Sequence, residues 1–86
     1  MKIFKYIDEV EAWLEPMNYL EFWTAIAPYD LVLQDREHCD AQIAAEEVDE
    51  ATVLVVLKHM ARVELTERQN LRWKPVTPWL QLVESH

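Results

Sequence analysis

A chain of 86 residues with a net charge of −8, 51% apolar residues and no glycine has room for one domain around one core. The missing glycine excludes phosphate-cradling loops, dinucleotide fingerprints and nucleophile elbows, each of which needs a residue that reaches positive φ or lets the backbone approach a ligand. A lone Cys39 rules out an intrachain disulfide and agrees with a reducing cytoplasm, and no apolar run reaches the roughly 18 residues of a membrane span.

The start MKIFKYIDEV turns acidic before an apolar signal region develops, so a cytoplasmic protein that is neither exported nor membrane-bound is expected. With Pro, Asn, Asp and Thr as the only punctuation, the composition predicts an all-α fold. The expected form is a compact bundle of four to six short helices, one domain over residues 1–86.

In chain order, Asp8 with Glu11 has capping-box spacing and predicts a helix over 8–15, whose stripe is Val10, Trp13 and Leu14. Pro16 ends it. Asn18 with Glu21 repeats the spacing and starts a helix over 19–27, with Leu20, Trp23 and Ala27, flanked by Ile26, as its apolar side. Asp30 after Pro28 caps a third helix over 31–47, with a break near Asp40, in which Val32, Cys39 and Ile43 keep register.

Asp49 before Glu50 caps a helix over 50–64. At 100° per residue, Val53, Val56, Leu57, Met60, Ala61 and Val63 fall on one side, and Thr52, Lys58, His59 and Arg62 on the other, with Val55 the misfit. A buried strand over 53–57 is the competing reading, because a short β-branched run does not settle the period. Thr66 with Gln69 predicts a separate helix over 66–73, and Thr77 followed by Pro78 predicts a last one over 78–84. Trp73 and Trp79 flank the connector RWKPVTP, which has the loose pattern of an extended proline ligand but reads first as a stiff link, its tryptophans as core anchors.

Charge is distributed unevenly along this order. From Asp8 to Glu50 there are thirteen carboxylates against Arg36 alone, a net −12, whereas residues 1–7 and 51–86 each carry a net +2. The helix dipole accounts for carboxylates before Glu50 and cations after it, at about 0.3–1 kcal/mol per well-placed charge, but not for an excess this large. Such a segment repels nucleic acid and anionic lipid and attracts basic partners over roughly 8–10 Å at cellular salt.

Catalytic constellations are thin. His38, Cys39 and Asp40 are adjacent and diverge by 100° per residue on a helix, so neither they nor a set completed by Glu37 or His59 has metal spacing. Ser85 is the only serine, nothing marks a Cys39–His59 pair, and carboxylate pairs occur at every spacing by number alone. No enzyme activity, cofactor or metal is expected.

The reading that follows is a small acidic protein-binding module. Glu46, Glu47, Asp49 and Glu50 are the densest contact candidates, with Asp35, Glu37 and Asp40 next. Its expected partner is a protein with a basic surface, in the concrete form a nucleic-acid-handling protein that the module inhibits or regulates as a DNA mimic would. Two alternatives stand beside it. In LTERQNLRWK, a second helix joined to the first by a tight turn would project Arg68, Gln69, Arg72 and Lys74 as a helix-turn-helix does; the LTER start resembles the opening of recognition helices in bacterial regulators over four residues, without the usual turn glycine. The other alternative is a structural homodimer held by aromatic side chains.

Overall fold

The structure, a computed structural model, describes residues 1–75; the helix expected over 78–84 and the Trp79 anchor lie outside them. Four α-helices and no strand are present among the described residues: α1 (Ile7–Leu14), α2 (Tyr19–Ile26), α3 (Arg36–Ala44) and α4 (Glu50–Gln69), with a 3₁₀ turn at Ala27–Tyr29 after α2. An all-α fold is thus what the chain adopts, and the Val53–Leu57 run is helical.

Local chemistry explains where most of these elements begin and end. Asn18 and Glu21 form the expected capping box, with Asn18 Oδ1 accepting from the Glu21 amide at 2.8 Å and Glu21 Oε1 accepting from the Asn18 amide at 2.9 Å. Asp35 caps α3 by accepting from the Glu37 amide, so the third helix starts at Arg36, not at residue 31. The Asp8 cap is a second correction: α1 begins one residue earlier, Tyr6 is its N-cap, and Asp8 stands in the first turn.

The largest correction is at Thr66. No turn separates 50–64 from 66–73, because α4 runs without interruption to Gln69 and Thr66 lies inside it. Asn70 in the left-handed conformation ends the helix, and the Leu71 amide returns to the Thr66 carbonyl at 2.9 Å.

Three helices share one core. α1 buries Ile7, Val10 and Leu14, α2 buries Tyr19, Phe22 and Ile26, and α4 buries Leu57, Ala61 and Leu65, each at helical spacing. Phe4, Tyr29, Cys39 and Leu71 complete the cluster. A fully buried side chain such as Phe22 or Leu57 contributes on the order of 1.5–3 kcal/mol of hydrophobic stabilisation. The expected stripes are shifted on two helices: Leu20 is 62% exposed and Ala27 is on the surface, while Tyr19 and Phe22 face inward. On α4, extension to Gln69 centres the buried line on Leu57, Ala61 and Leu65 and leaves Val56 and Val63 outside. Val32, outside α3, is 80% exposed, so only Cys39 and Ile43 of its expected stripe turn toward the core.

α1 and α4 run antiparallel, as shown by an ion pair from Arg62 to Glu11 at 3.8 Å and a hydrogen bond from Lys58 Nζ to the Glu15 carbonyl at 2.9 Å. The chain after α4 folds back over the start of α1, where the Ile7 amide donates to the Arg72 carbonyl at 2.9 Å. No described helix is long and apolar enough to cross a membrane.

Candidate functional site: an acidic corner

The α3 helix, its loop and the first turn of α4 carry every carboxylate singled out by the sequence. Asp35, Glu37, Asp40, Glu46, Glu47, Asp49 and Glu50 are all exposed, and over residues 35–50 these seven face Arg36 as the only base, a net −6. Asp40 pairs with Arg36 at 3.7 Å one helical turn away, both side chains about half exposed, a geometry worth at most a few tenths of a kcal/mol. Asp49 accepts from the Thr52 hydroxyl at 3.4 Å. Among the described residues, Glu37, Glu46, Glu47 and Glu50 have no cation within ion-pair distance.

The corner turns at Glu46. Its φ of 58° places a residue with a full side chain in the left-handed region, the position at a helix end where glycine or asparagine is the usual occupant. The turn closes through the Glu46 amide to Ile43 and the Glu47 amide to Gln42, both at 3.0 Å. Beside it, Ile43 and Val48, both half-buried, line a shallow depression of about 430 Å³ together with Glu46, Asp49 and Glu50.

What holds α3 in place is Cys39 with few helpers. Cys39 is fully buried and its thiol donates to Gln34 Oε1 at 3.4 Å; burial, then the nearby Asp40 and Asp35 charges, push that thiol up. A buried thiol shifted in this direction is a poor source of thiolate. The Tyr19 hydroxyl donates to Asp40 Oδ1 at 2.6 Å, and burial followed by this hydrogen bond pushes the phenol up to about 12.

The basic segment proposed as an alternative site is engaged differently. Arg68 donates to the carbonyls of Tyr29 at 2.8 Å and Asp30 at 3.1 Å and pairs with Glu64 at 2.9 Å, the i, i+4 support expected from the sequence. Glu64 in turn accepts from the Val32 amide at 2.9 Å. Gln69 accepts from the Phe4 amide at 2.8 Å. Arg72 and Lys74 are tied through their backbones, the Lys74 amide donating to Asp8 Oδ1 at 2.8 Å, while their side chains are exposed. Because α4 runs unbroken to Gln69, and Arg68 and Gln69 hold the chain together, the expected turn between 50–64 and 66–73 and its second helix are absent among the described residues. Trp73, expected as a core anchor, is 55% exposed, with the Arg62 guanidinium 6.0 Å from its ring centre.

Sequence reasoning found the carboxylates but missed how Glu46 is held, since glutamate carries no sign of a left-handed turn, and it missed the clasp formed by Arg68. Among the described residues no three His, Cys, Asp or Glu side chains come together as a metal-holding group, and His59 is exposed on α4 beside Arg62. Comparison of the chain with family models, with curated proteins and with solved structures finds no match.

Proposed function

We propose that this chain is a non-enzymatic binding module that docks its acidic corner on the basic surface of another protein, in the concrete form a nucleic-acid-handling protein that it inhibits or regulates by standing where phosphates would bind. The observation that supports this most is the gathering of seven exposed carboxylates at one corner, six of them, all but Asp40, without a cationic partner among the described residues. Carboxylates kept apart from the chain's own cations attract a partner's lysines and arginines and speed encounter. The depression beside Glu46 suits one such side chain, its aliphatic stem against Ile43 and Val48 and its charge among Glu46, Asp49 and Glu50.

Glu46 supports the same reading from another side. Holding a glutamate at φ 58° costs on the order of 1 kcal/mol that glycine would avoid, and strained positions retained in a fold cluster where a side chain is used.

The test is retention of proteins from a cell extract on the immobilised chain, compared with a variant carrying Glu46→Lys, Glu47→Lys and Glu50→Lys whose circular dichroism matches wild type. Basic proteins held by wild type, released by moderate salt and lost from the variant are the expected result. Equal retention by both chains, or retention insensitive to salt, contradicts the proposal.

A further inference from the structure

α4 carries more apolar surface than its own core uses. Its inward line is Leu57, Ala61 and Leu65, and beside it runs a second line, Val56, Met60 and Val63, at i, i+4 and i+7, with Val56 52% and Val63 38% exposed. Val32 widens this line from the segment before α3, held there by its amide on the Glu64 carboxylate at 2.9 Å, and its side chain stands in solvent. A helix face left in water ordinarily carries charged or polar residues, and a contiguous apolar one marks an interaction surface.

Three adjoining depressions turn this face into a band. One of about 320 Å³ lies over Val32, Met60 and Val63, with Glu64 and Glu67 on its rim. The next, about 240 Å³, is floored by Val48, Val53, Val56 and Leu57 between α3 and α4. Val48 also lines the depression at the acidic corner, which joins the two at Glu46, Asp49 and Glu50. No lysine or arginine lines any of the three, whereas Lys58 and Arg62 line the groove on the α1 side of α4. Among the described residues the band is thus apolar along its middle and acidic at both ends.

That pattern complements an amphipathic helix whose apolar face is bordered by lysines or arginines. From Asp49 to Glu67, α4 rises about 27 Å, the length of about 18 helical residues. An extended segment needs main-chain partners, and the amides and carbonyls along this part of α4 are already bonded within the helix; a helical occupant satisfies its own backbone and brings only side chains. A second copy of the band, acidic at both ends, would set carboxylate against carboxylate.

We propose that the band along α4 holds a basic amphipathic helix of the partner protein, its apolar side chains over Val32, Val56, Met60 and Val63 and its cations toward Glu46, Asp49, Glu50 and Glu67. The proposal rests on the acidic-corner reading for the sign of the partner's charge, and adds the partner's secondary structure and its apolar anchors.

The probe is a synthetic leucine–lysine peptide of about 18 residues with its leucines at helical spacing, compared with a scrambled peptide of the same composition and charge. Affinities are read by titration calorimetry, and the contact is read from the amide signals of the isotope-enriched full chain. The expected result is that the amphipathic peptide binds about tenfold more tightly than the scrambled one and moves the signals of Val32, Val56, Met60 and Val63. It loses about tenfold in affinity for a chain with Val56→Gln and Val63→Gln, exposed positions at which the circular dichroism stays that of wild type. Equal binding of the two peptides, lost only with Glu46→Lys, Glu47→Lys and Glu50→Lys, leaves the acidic corner standing and overturns the band. Charge reversal that weakens neither peptide overturns the corner, and with it the basic character of this helix. Binding of neither peptide overturns both. A chain that is dimeric by light scattering and becomes monomeric with the two valine changes has a second copy in the band, which overturns the proposal as well.

Discussion

The packed side of the molecule and its acidic corner differ in how they are held. α1, α2 and α4 interlock three buried residues each, so no one of them can leave without exposing the core. α3 gives the core only Cys39 outright, with Ile43 half-buried and one hydrogen bond from Tyr19 to Asp40. The contrast teaches that the densest run of unpaired carboxylates sits on the element that gives the core least, although Asp8, Glu9, Glu11 and Glu15 also line α1 on the packed side.

The sharpest way to break this comparison is to cut equivalent side chains on both sides. Leu57→Ala, at a site 1% exposed, is expected to cost about 2–5 kcal/mol in denaturant unfolding, a large share of the stability of a domain this size. Ile43→Ala in α3 is expected to cost about 1 kcal/mol. Equal losses would show that α3 belongs to the core after all.

Next in size is Arg68→Ala, expected to cost about 1–2 kcal/mol because it leaves the Tyr29 and Asp30 carbonyls and Glu64 without their shared donor. The loss should be read by thermal unfolding, and Arg72→Ala should leave the melting temperature almost unchanged. That pair separates a structural clasp from a nucleic-acid contact, for which both residues would matter to binding and neither to stability.

Tyr19→Phe tests the tie between the two sides, at about 1 kcal/mol near neutral pH. A phenol that ionises near 10 when unfolded and at about 12 when folded stabilises fully below pH 10. That contribution is lost as pH rises through this window. Wild type should therefore lose stability between pH 10 and 12, and Tyr19→Phe should lose less over the same range, a difference read by urea titration at each pH.

The smallest effect has the opposite sign. Glu46→Gly is expected to raise stability by about 0.5–1 kcal/mol by relieving the left-handed backbone. On the proposed reading it also weakens retention of a basic partner, so a variant that is both more stable and equally retained would detach Glu46 from binding.

How much of this was legible in the sequence depends on the kind of signal. The all-α architecture, the Asn18–Glu21 cap, the burial of Cys39 and the support of Arg68 by Glu64 follow from spacing and composition, which act locally. The run from Arg62 through Thr66 misled because Thr66 and Gln69 have the spacing of a cap, yet nothing between them breaks a helix, and burial of Leu65 on the α4 stripe carries it through. Leu20 and Tyr19 exchange places for a similar reason: periodicity marks a stripe only to within about one residue, and burial of Phe22 with Tyr19, whose hydroxyl reaches Asp40 on α3, fixes the rotation. The carboxylates of the corner were visible as residues. Their separation from the cations was not, because Arg62 and Arg68 find their partners across the fold, at Glu11 and at the Tyr29 and Asp30 carbonyls.

Native-state hydrogen exchange of the full chain measures the division most directly, since it gives an opening free energy for each amide. The account predicts that α4 amides around Leu57–Leu65 exchange only with global unfolding, while α3 amides such as those of Cys39 and Asp40 exchange through a local opening of distinctly lower free energy. Protection of α3 equal to that of α4 would contradict it.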